Sequence, residues 1–286
     1  MIQCANLCGF ETKPSKTVGP CQQIEFLGVL IDSVNKKLSI TKDRIKYVCD
    51  ELDEWLMKSR CKKRELLALL GRLNFCSQVI MYGSLFVRRL IHASKQVNEL
   101  YHIVILDSEC KKDIKWWRKN LQHNCGVSWF PRPFDVNTAV IMYCDAAKGA
   151  AAAVVGNSWT VQHFDGEFAW MQDKNIAVKE LYAIVLGIST FAVRLRGRQV
   201  LMHTDNKAID DCIEAGKSKD VWLNCLLRSL YYYSSLYQIE YRSCHVPGIS
   251  NVLADSLSRD KQDVFRFALP GADHRMTRPC RFTIDF

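Results

Sequence analysis

Four acidic residues in the second half of the chain each stand in a short sequence signature of their own, in one fixed order. Asp145 closes the apolar run from Ala139 to Cys144, and Glu180 lies within the helix-like NIAVKELYAIVLGI. Asp205 closes the run from Gln199 to Thr204, and Asp255 sits inside HVPGISNVLADSLSR. Separations of 35, 25 and 50 residues mean that only a fold can gather them. Carboxylates held close together repel and raise one another's pKa, so such a group persists where divalent cations neutralise it. Oxygen ligands with no His or Cys among them suit Mg2+ or Mn2+ rather than zinc. Two such ions about 3.5–4 Å apart form an apparatus for in-line attack on a phosphodiester. Singly, each acid has a plainer reading: Asp205 as the cap of a helix running on from Ala208, Glu180 and Asp255 as polar edges of amphipathic helices. Together, in one order and each with its own neighbours, they point to a shared site.

The elements that must position these acids alternate. Apolar strands are expected near 139–144, 150–155 and 159–164. After them come the Glu180 helix, the strand ending at Asp205, a helix to Ala215, a long helix from about Val221 to Tyr233, a strand near 237–244 and the Asp255 helix. Over residues 138–262 this is an α/β layer pattern with a mixed sheet and flanking helices. The small-residue run from Ala150 to Val155 suits a strand beside a crowded site as well as it suits a helix. Upstream, residues 1–40 read as a small β piece, FLGVLI and LSI about a turn from Ser33 to Lys37. From Thr41 to about 128 the period is helical, with Val48, Cys49, Leu52 and Trp55 on one face and Leu66, Leu69, Leu70 and Leu73 on the next. Trp129-Phe130-Pro131-Arg132-Pro133 marks a linker over 129–137. Residues 263–286 show no period and read as a tail.

The order of these signatures, a strand-ending Asp, a helical Glu, TDN and then N-x-x-A-D, resembles type 1 ribonuclease H, and LADSLSR is similar to the version carried by retroelements. The resemblance covers about residues 136–262. It implies a ribonuclease H-like mixed sheet in which Asp145 bridges two Mg2+ ions, with Mn2+ able to substitute. Glu180 and Asp205 then hold the ion on the leaving-group side, and Asp255 completes the site of the ion that activates water. Asn206 and Asn251 fall in the motif positions beside the acids and are expected to meet substrate. CQQIEFLGVLIDSVNKKLSI resembles the primer-grip end of a reverse transcriptase palm. ELLALLGRLNFCSQVIMYGSLFVRRLI and DIKWWRKNL resemble the thumb and connection of DIRS-like, gypsy-related elements. The implied activity is hydrolysis of the RNA strand of an RNA–DNA hybrid. Many relatives carry a His just after the loop glycine, but Ile249 follows Gly248 here. His245 is the candidate auxiliary in its place.

Charge divides the chain unevenly. Residues 1–135 hold 22 Lys and Arg against 14 Asp and Glu, whereas residues 136–262 hold 13 of each. Phosphate contacts supply most sequence-independent affinity for nucleic acid, so the upstream part is expected to grip the duplex. Lys62, Lys63 and Arg64 form the core of its densest basic cluster. Thirteen scattered cysteines without a Cys-x-x-Cys pair are expected to be free thiols in an intracellular, cytoplasmic or nuclear setting. No apolar stretch reads as a membrane span, and no leader is expected. No Tyr/Phe-x-Asp-Asp string is present, so polymerisation is not expected, and a separate polymerase portion is a possible partner. Two other readings share much of this pattern: a catalytically idle retroelement-derived binding module, and a related nuclease or integrase acting on DNA.

Overall fold

A computed structural model describes residues 2–10, 13, 15, 17–80, 82–122, 127–128, 134–272 and 274–276. A short helix α1 (Ile2–Leu7) precedes three antiparallel strands, β1 (Gln23–Phe26), β2 (Val29–Asp32) and β3 (Lys37–Ile40). The helical stretch follows as α2 (Lys42–Met57), strand β4 (Arg60–Lys62), α3 (Lys63–Cys76), α4 (Arg88–Lys95), strand β5 (Ile103–Ile105) and α5 (Ser108–Gln122). Strand β4 pairs with β5, and the two-residue β6 (Val127–Ser128) returns to pair with β3. The expected linker motif Trp129 to Pro133 lies outside the described residues. Residues Val48, Cys49, Leu52 and Trp55 of α2 and Leu66, Leu69, Leu70 and Leu73 of α3 are buried, as their helical spacing requires. The exposed carbonyls at the end of α2 are met by one ammonium: Lys111 Nζ donates to Trp55 O at 2.8 Å and Leu56 O at 2.7 Å.

The second half opens with an antiparallel meander, β7 (Val140–Ala146), β8 (Ala150–Val155) and β9 (Ser158–His163). Next come α6 (Ile176–Leu195), β10 (Gln199–Thr204), α7 (Lys207–Ala215), α8 (Val221–Tyr237), β11 (Glu240–His245), α9 (Val252–Ser258), α10 (Gln262–Ala268) and β12 (His274–Arg275). The sheet order is β11-β10-β7-β8-β9-β12, with β10 parallel to both β7 and β11. A three-strand antiparallel meander extended by two parallel strands and flanked by helices is the ribonuclease H-like mixed α/β fold. All six residues of β8 are buried. Ala151, Ala153 and Val155 face the core shared with α6, while Ala152 and Val154 face a second core with Leu257 and Phe265. A strand covered on both faces has no polar alternation, which is why its sequence suits helix and strand equally.

One sequence expectation needs correction here. Residues 263–276 are not a featureless tail: Phe265 of α10 and Ala272 are buried against Trp159, and β12 extends the sheet beside β9. One deeply buried residue in a seven-residue helix leaves no period to read. Helix α6, in turn, is long and apolar enough to cross a membrane by length and composition, yet most of it is buried against the sheet and α8, as in a core helix.

One hydrophobic core runs from the helical region into the second half. Phe86 stacks on Trp116 with centroids 3.8 Å apart, and Tyr82 meets Tyr231 of α8 at 4.4 Å. At this seam Arg228 of α8 pairs with Asp113 of α5 at 3.1 Å and donates to Leu85 O at 3.1 Å. Arg89 reaches the same carboxylate at 3.0 Å. Asp113 is fully buried, and burial raises its carboxyl to about 7 against the pull of both guanidiniums. Breaking such a pair leaves an uncompensated buried charge, so Asp113→Ala is expected to destabilise the chain by about 3–5 kcal/mol in urea unfolding. Tryptophan fluorescence and far-ultraviolet dichroism should report one transition. Two separate transitions would show that the seam does not couple the halves.

Candidate metal centre

The acidic site is assembled from strand ends and one helix face. Asp145 lies near the end of β7, opposite Ala152 of β8, and is 2% exposed. Glu180 sits in the second turn of α6, whose start is fixed by Asn175, its side chain accepting from Val178 N at 2.9 Å. Asp205 follows the last residue of β10, immediately before the N-cap of α7. Oxygens of Asp145, Glu180 and Asp205 lie within 4.8 Å of one another. Glu180 reaches this point because α6 lies close on the sheet. Gly187, seven residues on and so on the same helix face, sits where a Cβ would come within 2.6 Å of Met142 Sδ and 2.8 Å of Ala153 Cβ.

Asp255, on the first turn of α9, stands beside this trio rather than in it. Its carboxylate is paired with Arg259 one turn along, yet its charge helps to raise the pKa of Asp145. The same helix supplies Ser258, a buried hydroxyl that donates to Asp145 Oδ2. Ser258 and Arg259 belong to the LADSLSR motif, and their spacing of three and four from Asp255 puts them on this side of the helix. Two further groups brace the site. Lys179 Nζ donates to Lys148 O at 3.2 Å and Gln172 O at 2.9 Å, tying the turn after β7 to the segment before α6. The Ala146 backbone N–H donates to Glu180.

The remaining sequence candidates fall into different situations. Asn206 caps α7, its side chain accepting from Ala208 N at 3.1 Å, and is half-buried beside Asp205. His245 is exposed, with Nε2 3.1 Å from the backbone oxygen of Asp205, which it reaches as a donor. Asn251 is fully buried, and its Nδ2 donates to Cys144 O at 2.8 Å, tying the loop before α9 to β7, while its Oδ1 has no hydrogen-bond partner. Lys63 is half-buried, its ammonium donating to Val97 O at 2.7 Å and Asn98 O at 3.1 Å. Lys62 and Arg64 are exposed, at the β4–α3 junction and outside the sheet that carries the acids. All described cysteines are free thiols.

Burial dominates the electrostatics. It raises Glu180 to about 9, with Asp145 and Asp205 adding to the effect. It raises Asp145 to about 6, partly offset by the Ser258 hydrogen bond. Glu180 Oε2 is buried with no hydrogen-bond partner. A desolvated, unpaired carboxylate oxygen among other acids is costly by itself and matches the all-oxygen donor set of a hard divalent cation. The residues therefore fit Mg2+ or Mn2+.

No family model matches the chain. The enzymatic polyprotein of figwort mosaic virus (strain DxS) is 25% identical over 257 residues, covering 83% of this chain and 37% of that protein. The chain thus spans little more than a third of that curated relative. Among solved structures, the foamy viral protease-reverse transcriptase in complex with RNA/DNA hybrid matches 78% of this chain and 29% of its own at 13% identity and a TM-score of 0.33. Ribonuclease H1 from Halobacterium salinarum matches 44% of this chain and 98% of its own at 15% identity and a TM-score of 0.34. Scores this low add no weight, and the fold assignment rests on the strand order.

Because both acids have raised folded pKa values, the folded chain binds their protons more tightly than the unfolded one. Their favourable contribution is complete below the unfolded values of 3.8 and 4.5. It is lost as pH rises through about 6 for Asp145 and about 9 for Glu180. Without divalent cations, Glu180→Gln should melt with the parent chain near pH 4.5 and above it at pH 9, by about 2–4 °C for each kcal/mol relieved. Added Mg2+ should narrow that gap and release protons near pH 8. A melting difference independent of pH would contradict the desolvated-carboxylate account.

Proposed function

We propose that this chain is a divalent-cation-dependent endonuclease that hydrolyses the RNA strand of RNA–DNA hybrids, as part of a retroelement reverse transcriptase. The observation that carries this reading is the convergence of Asp145, Glu180 and Asp205 within 4.8 Å on a ribonuclease H-like sheet, one oxygen of Glu180 being buried and unpaired. In this reading Asp145, Glu180 and Asp205 hold the cations, and Asp255 joins them from α9. When bound, the cations polarise the scissile phosphate and lower the pKa of the attacking water.

The chain's own groups do the rest. Ser258 fixes the orientation of the Asp145 carboxylate, and Lys179 keeps the turn after β7 in place. Asn206 borders Asp205 and presents its amide toward substrate, while Lys62 and Arg64 are the exposed cations of the β4–α3 junction available for phosphates. His245, anchored on the Asp205 carbonyl and exposed, is the candidate auxiliary for moving a proton. Strand choice rests on 2′-hydroxyls and backbone shape, not on base sequence. The products are 5′-phosphate and 3′-hydroxyl ends. Asp210 and Asp211 lie within α7, where Lys207 pairs with both, so they support no polymerase centre.

The test is cleavage of end-labelled RNA in a hybrid, with double-stranded RNA and double-stranded DNA as controls, in Mg2+. Removing one ligand should cost several kcal/mol of transition-state stabilisation, so Asp145→Asn and Asp205→Asn should each lose about 100-fold or more while remaining folded. Persistent cleavage in both variants would overturn the assignment. Hybrid binding without cleavage by the parent chain would favour an idle binding module, and equal cleavage of duplex DNA would favour a DNA-directed nuclease.

A further inference from the structure

A cavity of about 430 Å³ opens between α4 and the N-terminal end of α8, and none of the four acids lines it. Arg88, His92 and Lys95 line it from α4, and their spacing of four and three residues puts them on one helix face. Lys219 and Arg228 line it from the other side. Arg228 is 4% exposed, and its Nε has no hydrogen-bond partner, as is also true of Arg88 Nε. Arg228 and Arg89 already serve Asp113 through their terminal nitrogens. Among the described residues, Arg88, Lys95 and Lys219 form no ion pair.

The rim acids offset this surplus only in part, two carboxylates standing against five Lys and Arg side chains. Glu109 is held by Arg89 at 2.7 Å and Lys112 at 3.1 Å, and Asp107 Oδ1 accepts the Cys110 N–H at 2.7 Å. The loop that carries Lys219 is set in advance. Asn224 Nδ2 donates to Ser218 O and Asp220 O, both at 2.9 Å, and Asn224 Oδ1 accepts from Ser218 N at 2.9 Å. A preformed cleft with surplus guanidinium and ammonium groups, one of them a buried arginine with an unused donor, is complementary to a compact group with several anionic oxygens.

We infer that this cleft is an anion site, distinct from the acidic centre, and that it takes a phosphoryl group. A nucleic-acid strand crossing the seam and a free nucleotide both present that chemistry. The test uses the full chain without divalent cations, so that nothing is cleaved and the result is independent of whether the acids are catalytic. The double variant Arg88→Gln, Lys219→Gln removes charges that hold no ion pair and is checked by thermal melting. One arm titrates ADP and inorganic pyrophosphate by calorimetry, and the other follows a fluorescein-labelled RNA–DNA hybrid by anisotropy across salt.

In at least one arm the double variant is expected to bind about tenfold or more weakly than the parent chain. Loss in the hybrid arm, with the log K against log [salt] slope shallower by about 0.9 for each contact removed, supports the cleft as a seat for a backbone phosphate. Loss in the calorimetric arm supports a nucleotide site. Unchanged affinity in both arms, or no binding of any of these probes by the parent chain, overturns the inference.

Discussion

How closely α6 lies on the sheet governs the rest of this molecule. With a glycine at 187, the helix backbone approaches Met142 and Ala153, and Glu180 two turns earlier is brought to the same depth as Asp145. The approach buries the carboxylates of Asp145 and Glu180 and leaves a Glu180 oxygen without a partner. The fold thus spends stability at one end to hold like charges together, a cost recovered when cations bind only the folded state. A side chain at position 187 would push the helix outward and relax the acids before touching any of them.

The second organising interaction is the buried contact of Arg228 with Asp113 and Leu85. It places a charged pair across the seam where the aromatic cluster of Phe86, Trp116 and Tyr231 is otherwise apolar. Buried ion pairs add little net stability over apolar replacements but penalise any arrangement that separates the partners. Here that penalty fixes the angle of α8 against α4 and α5. Helix α8 thus both lines the cationic cleft and packs against α6.

Much of the acidic site was legible because its residues sit at breaks in pattern. Asp145 and Asp205 end apolar strands, and Glu180 interrupts an apolar helix face. The strand identity of Ala150 to Val155 was ambiguous in sequence, since burial on both faces erases the alternation that marks most strands. At Asn251 and Lys63 the sequence leaves the role open. A polar side chain that satisfies buried backbone carbonyls has the same letter as one that meets substrate, and only the partner distinguishes them. The packed segment after residue 262 escaped notice because one phenylalanine does its anchoring. Ser258 was overlooked although it lies one helical turn beyond Asp255.

The hydroxyl of Ser258 on Asp145 bridges 113 positions of the chain. Every other member of the acidic group is made earlier in synthesis, yet the carboxylate nearest the strand end is oriented by a side chain that emerges from the ribosome last. Domains generally fold as units as they emerge, and contacts this distant in sequence form late because loop closure must come first. A nascent chain that has produced Asp145, Glu180 and Asp205 therefore carries the charge repulsion of the centre without its final brace. The brace between Asp145 and Ser258 is complete only once α9 has docked, so the three acids can be gathered before the hydroxyl that orients the first of them is in place.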